Sequence, residues 1–255
     1  MNILELLFPR RCPFCRKLLK DSEEHLCEEC RKALPWAGRG CRSHGSFYSV
    51  CVSPLRYEGK AREALLRFKF SGKRSYARCF GHLMADCLRT HPAGQADVIT
   101  YVPLHFLRLR KRGYCQTKLL AEELSRELQI PSFRLLRKKR YTGVQSHLRG
   151  EAARKANVSG AFSVKRHAEL EGKTVLLVDD VVTTGATLAE CSRVLLMAGA
   201  ERVVCATLCQ AQKAGKNDDR RRKPSGRKGI SGCDSEMMRV WSGPRSTWTV
   251  RGKGR

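Results

Sequence analysis

Five apolar patterns frame the chain. Residues 97–102 (DVITYV), 174–178 (TVLLV) and 202–208 (RVVCATL) are short runs dominated by apolar residues, many of them β-branched, and predict buried strands. Between the first two, residues 117–129 (TKLLAEELSRELQ) place Leu120, Leu124 and Leu128 on one helical stripe, with Leu119 and Ala121 beside it. Glu122 and Arg126 add an i,i+4 ion pair, and Pro131 ends the helix. Residues 187–198 (TLAECSRVLLMA) repeat the helical spacing with Leu188, Cys191, Leu195 and Ala198, and Gly199 stops them. Strands and helices of these lengths in alternation predict parallel βαβ units, hence an α/β fold whose parallel sheet carries helices on both faces.

The flanks read differently. Residues 51–95, including RYEGKAREALLRFKFSGKRSY, predict a strand, a helix and a basic loop ahead of the main sheet. Residues 212–255 have no periodicity and are rich in Gly, Ser and Arg, with thirteen Lys or Arg against four Asp or Glu. Such a tail is expected to be disordered and solvated, with a nucleic-acid-binding arm or an extension unrelated to the fold as the other readings. The predicted organisation is a small module over residues 1–50, an α/β domain over 51–211 (an accessory hood at 51–95 and a core at 96–211) and a basic tail at 212–255.

Composition narrows the class. An apolar fraction of 42% in 255 residues excludes a wholly disordered chain. No run of about eighteen apolar residues exists, so no membrane-spanning helix is expected. The start, MNILELLFPRRC, lacks a basic segment before its apolar stretch and predicts no secretory signal, hence a cytoplasmic location. In a reducing compartment thirteen cysteines do not read as a disulfide framework; some should bind metal or lie buried as thiols. A net charge of +26 favours polyanionic partners, nucleic acid or phosphorylated small molecules, over the plainer reading of a solvated basic surface.

Two segments carry chemistry. Cys12-x2-Cys15 and, eleven residues later, Cys27-x2-Cys30 have the spacing of two knuckles that hold one tetrahedral Zn²⁺. Few apolar residues surround them, so metal is expected to supply folding energy; four thiolates leave no open position, which argues for structural rather than catalytic zinc. Buried or redox-active thiols are the competing reading. Cys41-x2-His44 is a weaker second pair without a clear fourth partner, with Cys51 or His25 as candidates to help complete it. Further along, residues 175–188 (VLLVDDVVTTGATL) run a buried strand into Asp179 and Asp180, a Thr/Gly turn and a helix. Thr183, Thr184, Gly185, Ala186 and Thr187 then lie at a helix N-terminus, where backbone N–H groups and hydroxyls wrap a phosphate. The carboxylates lie at the carboxyl end of a parallel strand, where α/β folds place ligands. A simple capping turn is the alternative.

The segment LLVDDVVTTGATL resembles the phosphoribosyl pyrophosphate (PRPP) motif of type I phosphoribosyltransferases. The cysteine module, RYEGKAREALLRFKF, VPLHFLRLRKRGYCQ, QSHLRGEAARKAN and that motif occur in the order of the competence protein F (ComF, GntX-like) family, from about residue 9 to 211. The resemblance implies a type I phosphoribosyltransferase-like parallel sheet behind a zinc-ribbon module. It implies that Asp179 and Asp180 bind the ribose hydroxyls and that residues 183–187 hold the 5′-phosphate. Pro103 then falls in a diphosphate loop, with Arg108, Arg110, Lys111 and above all Arg112 suited to neutralise it. Gln145, Arg154 and Asn157 fall in a loop that covers the site, with Lys69 and Lys73 as weaker candidates. PRPP with Mg²⁺, and phosphoribosyl transfer to an unassigned acceptor if the domain catalyses, follow as implied function. A role in DNA uptake follows too, with a non-catalytic protein that binds single-stranded DNA or an ATP-dependent helicase as the alternative; the basic runs at 108–112 and 137–140, beside Tyr114 and Tyr141, would serve it. Two departures from the family pattern stand out: Cys115 occupies a position that is usually Asn, and the second half of the metal module is reduced to Cys41 and His44.

Overall fold

A twofold alternation of side chains explains the sheet. Strands β7 (Thr174–Val182) and β8 (Arg202–Gln210) pair in parallel, Leu176 opposite Val204 and Leu177 opposite Cys205. Val175, Leu177, Val203 and Cys205 enter one apolar core, whereas Leu176, Val178, Val204 and Ala206 enter another. Both faces are therefore buried, which is why these strands read as continuous apolar runs rather than as alternating ones. Strand β4 (Val98–Tyr101) joins β7 in parallel, and β2 (Cys51–Val52) joins β8 in parallel with β1 (Arg42–Ser43) antiparallel beyond it, giving the order β1-β2-β8-β7-β4. The short β3 (Leu55–Arg56) also pairs with β8. This computed structural model describes residues 9–38, 42–91, 95–140, 156–165 and 169–211.

Helices cover both faces of the sheet; two of them, not the single one expected, lie within residues 51–95. On one face lie α2 (Gly59–Phe70), α3 (Tyr76–Arg89) and α5 (Gln116–Leu128), with Leu65, Phe68, Phe80, Leu120 and Leu124 in the core. Opposite them, α6 (Ala186–Leu196) packs Leu188, Cys191 and Leu195 against the second core. The antiparallel pair β5 (Leu136–Lys138) and β6 (Phe162–Val164) closes that side with Leu136 and Phe162. Helices α3 and α5 meet closely at Gly81, where any Cβ would overlap that of Glu123. A side chain there would force the two helices apart.

The structure modifies three sequence readings. Strand β7 runs through both acids to Val182 instead of ending before them, because the backbone keeps its register with β8 as far as Gln210. The basic run after Pro103 is helical, α4 (Phe106–Arg112), with the His105 side chain accepting from the Leu107 N–H at its start. The cysteine module does not depend on metal alone for its core: Cys12, Phe14, Leu26, Cys27, Cys30 and Leu34 share the apolar cluster of α2 and α3. Phe14 meets the Phe80 ring at 5.7 Å, and Arg67 donates to the carbonyl oxygens of Pro13 and Phe14 at 3.0 and 2.9 Å. The module belongs to one compact unit, residues 1–214; the second unit, 215–255, lies outside the described residues, as does the whole tail from 212. Among the described residues no helix is long and apolar enough to cross a membrane.

Candidate functional site

Three elements converge on the two acids. Asp180 is 5% exposed and receives Lys69 Nζ, from the last turn of α2, at 2.8 Å on Oδ1. Gln116 Nε2 donates to Asp180 Oδ2 at 2.9 Å. Gln116 is the first residue of α5, and the start of that helix is pinned to the end of β4 by Thr117 Oγ1 donating to the Val102 carbonyl at 2.7 Å. The other Gln116 amide atom, Oε1, is buried with no partner among the described residues. Asp179 is half-buried, and its Oδ1 accepts the Asp180 N–H at 2.8 Å. Burial, then repulsion from Asp180, pushes its carboxyl up to about 7, against the pull of Lys69 and Lys138. Lys138, from β5, is in turn lowered to about 8 by burial and then by Arg108, and its ammonium lies 5.0 Å from the Phe162 ring centre.

Residues 183–187 follow directly. Gly185 (φ +78°) is the N-cap of α6, and its carbonyl accepts the first helical bond from the Ala189 N–H at 2.8 Å. A Cβ on Gly185 would sit 2.6 Å from the Tyr48 hydroxyl, so only glycine allows both the left-handed turn and that approach. Thr183 is exposed, Thr184 and Thr187 are half-buried, and Ala186 is buried. The hydroxyls and the N-terminal amides of α6 thus stand one turn beyond Asp180.

The remaining expectations divide. Arg112 is half-buried, with its guanidinium 4.7 Å from the centre of the Phe70 ring; burial lowers its pKa and the nearby Asp180 opposes that shift. Pro103 lines a cavity of about 570 Å³ with Tyr101, Tyr114, Arg74, Lys118 and Arg134; Asp179 and Asp180 do not line it. Asn157 stands beside β5 and β6: Arg140 donates to the carbonyl oxygens of Asn157 and Ser159 at 3.4 and 2.9 Å, and among the described residues the buried Asn157 Nδ2 has no partner. Gln145, Arg154, Tyr141 and Cys41 lie outside the described residues. Lys73 is exposed, as a surface lysine should be. Lys69 is not an ordinary surface lysine: its ammonium is neutralised by Asp180, with only 15% of the side chain exposed. The sequence reading passed over Gln116, Lys138 and Tyr48. Gln116 had a signal, since it ends the RGYCQ segment, but Lys138 was one cation within a basic run and Tyr48 preceded any recognisable pattern.

The cysteine quartet forms as its spacing predicts. Cys12, Cys27 and Cys30 are buried, Cys15 is half-buried, and their Sγ atoms all lie within 4.8 Å of one another. Cys15 and Cys27 Sγ are 3.5 Å apart. Four sulfurs about 2.3 Å from one Zn²⁺ need mutual separations of about 3.8 Å, which small side-chain rotations reach. The backbone supports both knuckles: the Arg16 N–H donates to Cys12 O at 2.8 Å, and Cys27 caps α1 (Glu28–Ala33), which carries Cys30. His44 is exposed, its Nδ1 2.5 Å from the Ser49 carbonyl oxygen.

Comparison with known proteins finds two family matches. Residues 3–62 match a double zinc ribbon domain and residues 118–238 a phosphoribosyl transferase domain. With the four-cysteine cluster, the first match supports structural zinc. The chain is 32% identical to competence protein F of Haemophilus influenzae over 219 residues, covering 77% of this chain and 95% of that protein. It is also 32% identical to the DNA utilization protein YhgH of Escherichia coli K12 over 206 residues, covering 78% and 83%. Competence protein ComFC of Bacillus subtilis is 29% identical over 204 residues, covering 74% and 78%. Identity at this level across nearly the whole of the Haemophilus protein, on a parallel α/β sheet joined to a cysteine knuckle module, makes this chain a member of the competence protein F family, with a phosphoribosyltransferase-type domain behind a zinc ribbon.

Proposed function

We propose that the protein binds PRPP with Mg²⁺ at the end of β7 and acts, through its phosphoribosyltransferase-type domain, in the handling of incoming DNA. The observation that carries this is the juxtaposition of Asp179 and Asp180 with the Gly185-capped N-terminus of α6. The acids suit ribose hydroxyls, and the amides and hydroxyls of residues 183–187 suit a 5′-phosphate. Asp180 is already held by Lys69 and Gln116, so it sets the geometry, whereas Asp179 is the acid with capacity to receive ligand: among the described residues its Oδ2 accepts no hydrogen bond. Hard carboxylate oxygen suits Mg²⁺, and Asp179 together with the diphosphate and ribose oxygens would hold it; bound there, it spreads leaving-group charge. Arg112, beside Asp180 and half-buried, presents a guanidinium to the diphosphate. If transfer occurs, the pyrophosphate leaves ribose C1 as a cationic centre develops, and the two carboxylates stabilise that charge.

Calorimetry with PRPP and Mg²⁺ tests the reading. Asp179→Asn should abolish Mg²⁺-dependent binding without lowering the melting temperature or the zinc content; binding that survives the change overturns the assignment. A pyrophosphate-release screen against nucleobases, amines and single-stranded DNA then decides whether the site catalyses.

One observation favours a second reading, in which the protein binds single-stranded DNA beside a helicase partner without catalysis. The 570 Å³ cavity combines Arg74, Lys118 and Arg134 with Tyr101 and Tyr114, and the Arg74 guanidinium lies 5.0 Å from the centre of the Tyr114 ring. Cations and aromatic faces together suit phosphates and bases. Binding of oligonucleotide should then weaken steeply between about 50 and 200 mM salt, and Tyr114→Ala should weaken it at every salt concentration.

A further inference from the structure

A second cluster of metal-ligating side chains lies apart from the cysteine quartet. His25 comes from the loop between the two knuckles, His82 from the middle of α3 and Glu127 from the last turn of α5. One ligand atom from each lies within 4.8 Å of the other two. The imidazole rings stack at 4.0 Å between centres, tilted by 32°, and His82 Nδ1 faces Glu127 Oε1 at 3.3 Å. For nitrogen and oxygen ligands at about 2.0–2.2 Å from an ion, a tetrahedral edge is about 3.4 Å, so that pair already has the required separation.

The surroundings orient His82 and Glu127 from behind. His82 Nε2 lies 3.3 Å from Asp86 Oδ2, the arrangement in which a carboxylate takes the outer ring proton and turns the inner nitrogen toward an ion. Arg89 takes the outer atoms: it reaches Asp86 Oδ1 and Glu127 Oε2, each at 2.6 Å, which leaves Glu127 Oε1 facing the histidines. Gly81 makes this possible, because the close approach of α3 and α5 is what brings His82 to Glu127. His25 is 9% exposed, and His82 and Glu127 expose 24% and 25% of their side chains, so an ion would be largely shielded from solvent.

We propose that His25, His82 and Glu127 form a second transition-metal site, of the two-imidazole, one-carboxylate class that suits Zn²⁺ better than Mg²⁺ or Ca²⁺. The site has three protein ligands and one position for water. It fastens the loop between the knuckles to α3 and α5, and so braces the zinc ribbon against those two helices. It uses neither Cys41 nor His44 as a ligand and does not rest on PRPP binding.

The test uses the full-length chain, zinc-replete after gel filtration. Elemental analysis should give two ions per chain, and mild chelation should remove the three-ligand ion first. Cobalt added to the vacated site should show ligand-field absorption without the sulfur-to-metal charge-transfer band of a thiolate site. His82→Ala and Glu127→Gln should each take up one ion only, whereas His44→Ala keeps two. Glu127→Gln retains shape and hydrogen bonding, so it answers the question if His82→Ala does not fold. One ion per chain in excess zinc overturns the proposal. So does a thiolate spectrum for the second ion, or a second ion lost in His44→Ala and kept in both other variants.

Discussion

Asp179 is the candidate-site acid whose chemistry the fold changes. Its carboxyl, raised to about 7 by burial and then by Asp180, is largely protonated in mildly acidic solution. For stability the sign is that of a raised acid: its contribution is full below about pH 4, the unfolded value, and is lost as pH rises through about 7. Ligand binding has the opposite slope, since a ribose hydroxyl or a nearby cation prefers the carboxylate. Mg²⁺-dependent PRPP affinity should therefore rise up to tenfold per pH unit below about 7 and level off above it, with proton release measurable by calorimetry in buffers of different ionisation heat. At Asp180, Lys69→Met should strand a carboxylate that is 5% exposed, lowering the melting temperature as well as the affinity. The acid pair, the Thr/Gly turn and the four thiols were legible in the sequence because each is local, its residues a few positions apart. Lys69 and Gln116 were not: they meet Asp180 across 111 and 64 positions of chain, and nothing in RFKF distinguishes a lysine that turns inward from one that stays wet.

Among the elements, β7 and α6 act as one part. The strand holds its register through the acids, and Gly185 then turns the chain so that the first amides of α6 face the same space. Gly185→Val should therefore abolish phosphate binding and cost stability, because a Cβ meets the Tyr48 hydroxyl in a backbone conformation that β-branched residues avoid. Binding of inorganic phosphate, followed by chemical shift, together with thermal denaturation would show both effects. Helices α2 and α3 make a second part, held by Phe68 and Phe80 edge to face at 5.3 Å. Phe80→Ala should cost about 3–5 kcal/mol in chemical denaturation, since the ring is fully buried among Phe14, Phe68 and Tyr76. The apolar periodicity gave α5, α6, β4 and β8 to within a residue or two, whereas β7 runs four residues past the expected end. It missed α4, whose seven residues are FLRLRKR: none of them is buried, so no apolar stripe marks them.

For the whole molecule, the informative fact is where the cysteine module sits. Sequence spacing foretold the knuckles but not their neighbours, because packing of Phe14 and Leu26 against α2 and α3 joins segments that share no local pattern. A strong chelator should consequently lower the melting temperature of the unit as a whole. Calorimetry should show one shifted transition, not an early small one ahead of an unchanged main peak. Helix α2 gives this coupling a reach beyond stability. Arg67 holds the carbonyl groups of the first knuckle, and Lys69, two residues on, holds Asp180. A genetic selection for loss of nucleotide handling would thus return lesions at Cys12, Cys15 or Arg67, far along the chain from VDDVVTTG, and a map drawn from such mutants would join two regions that the sequence keeps more than a hundred positions apart.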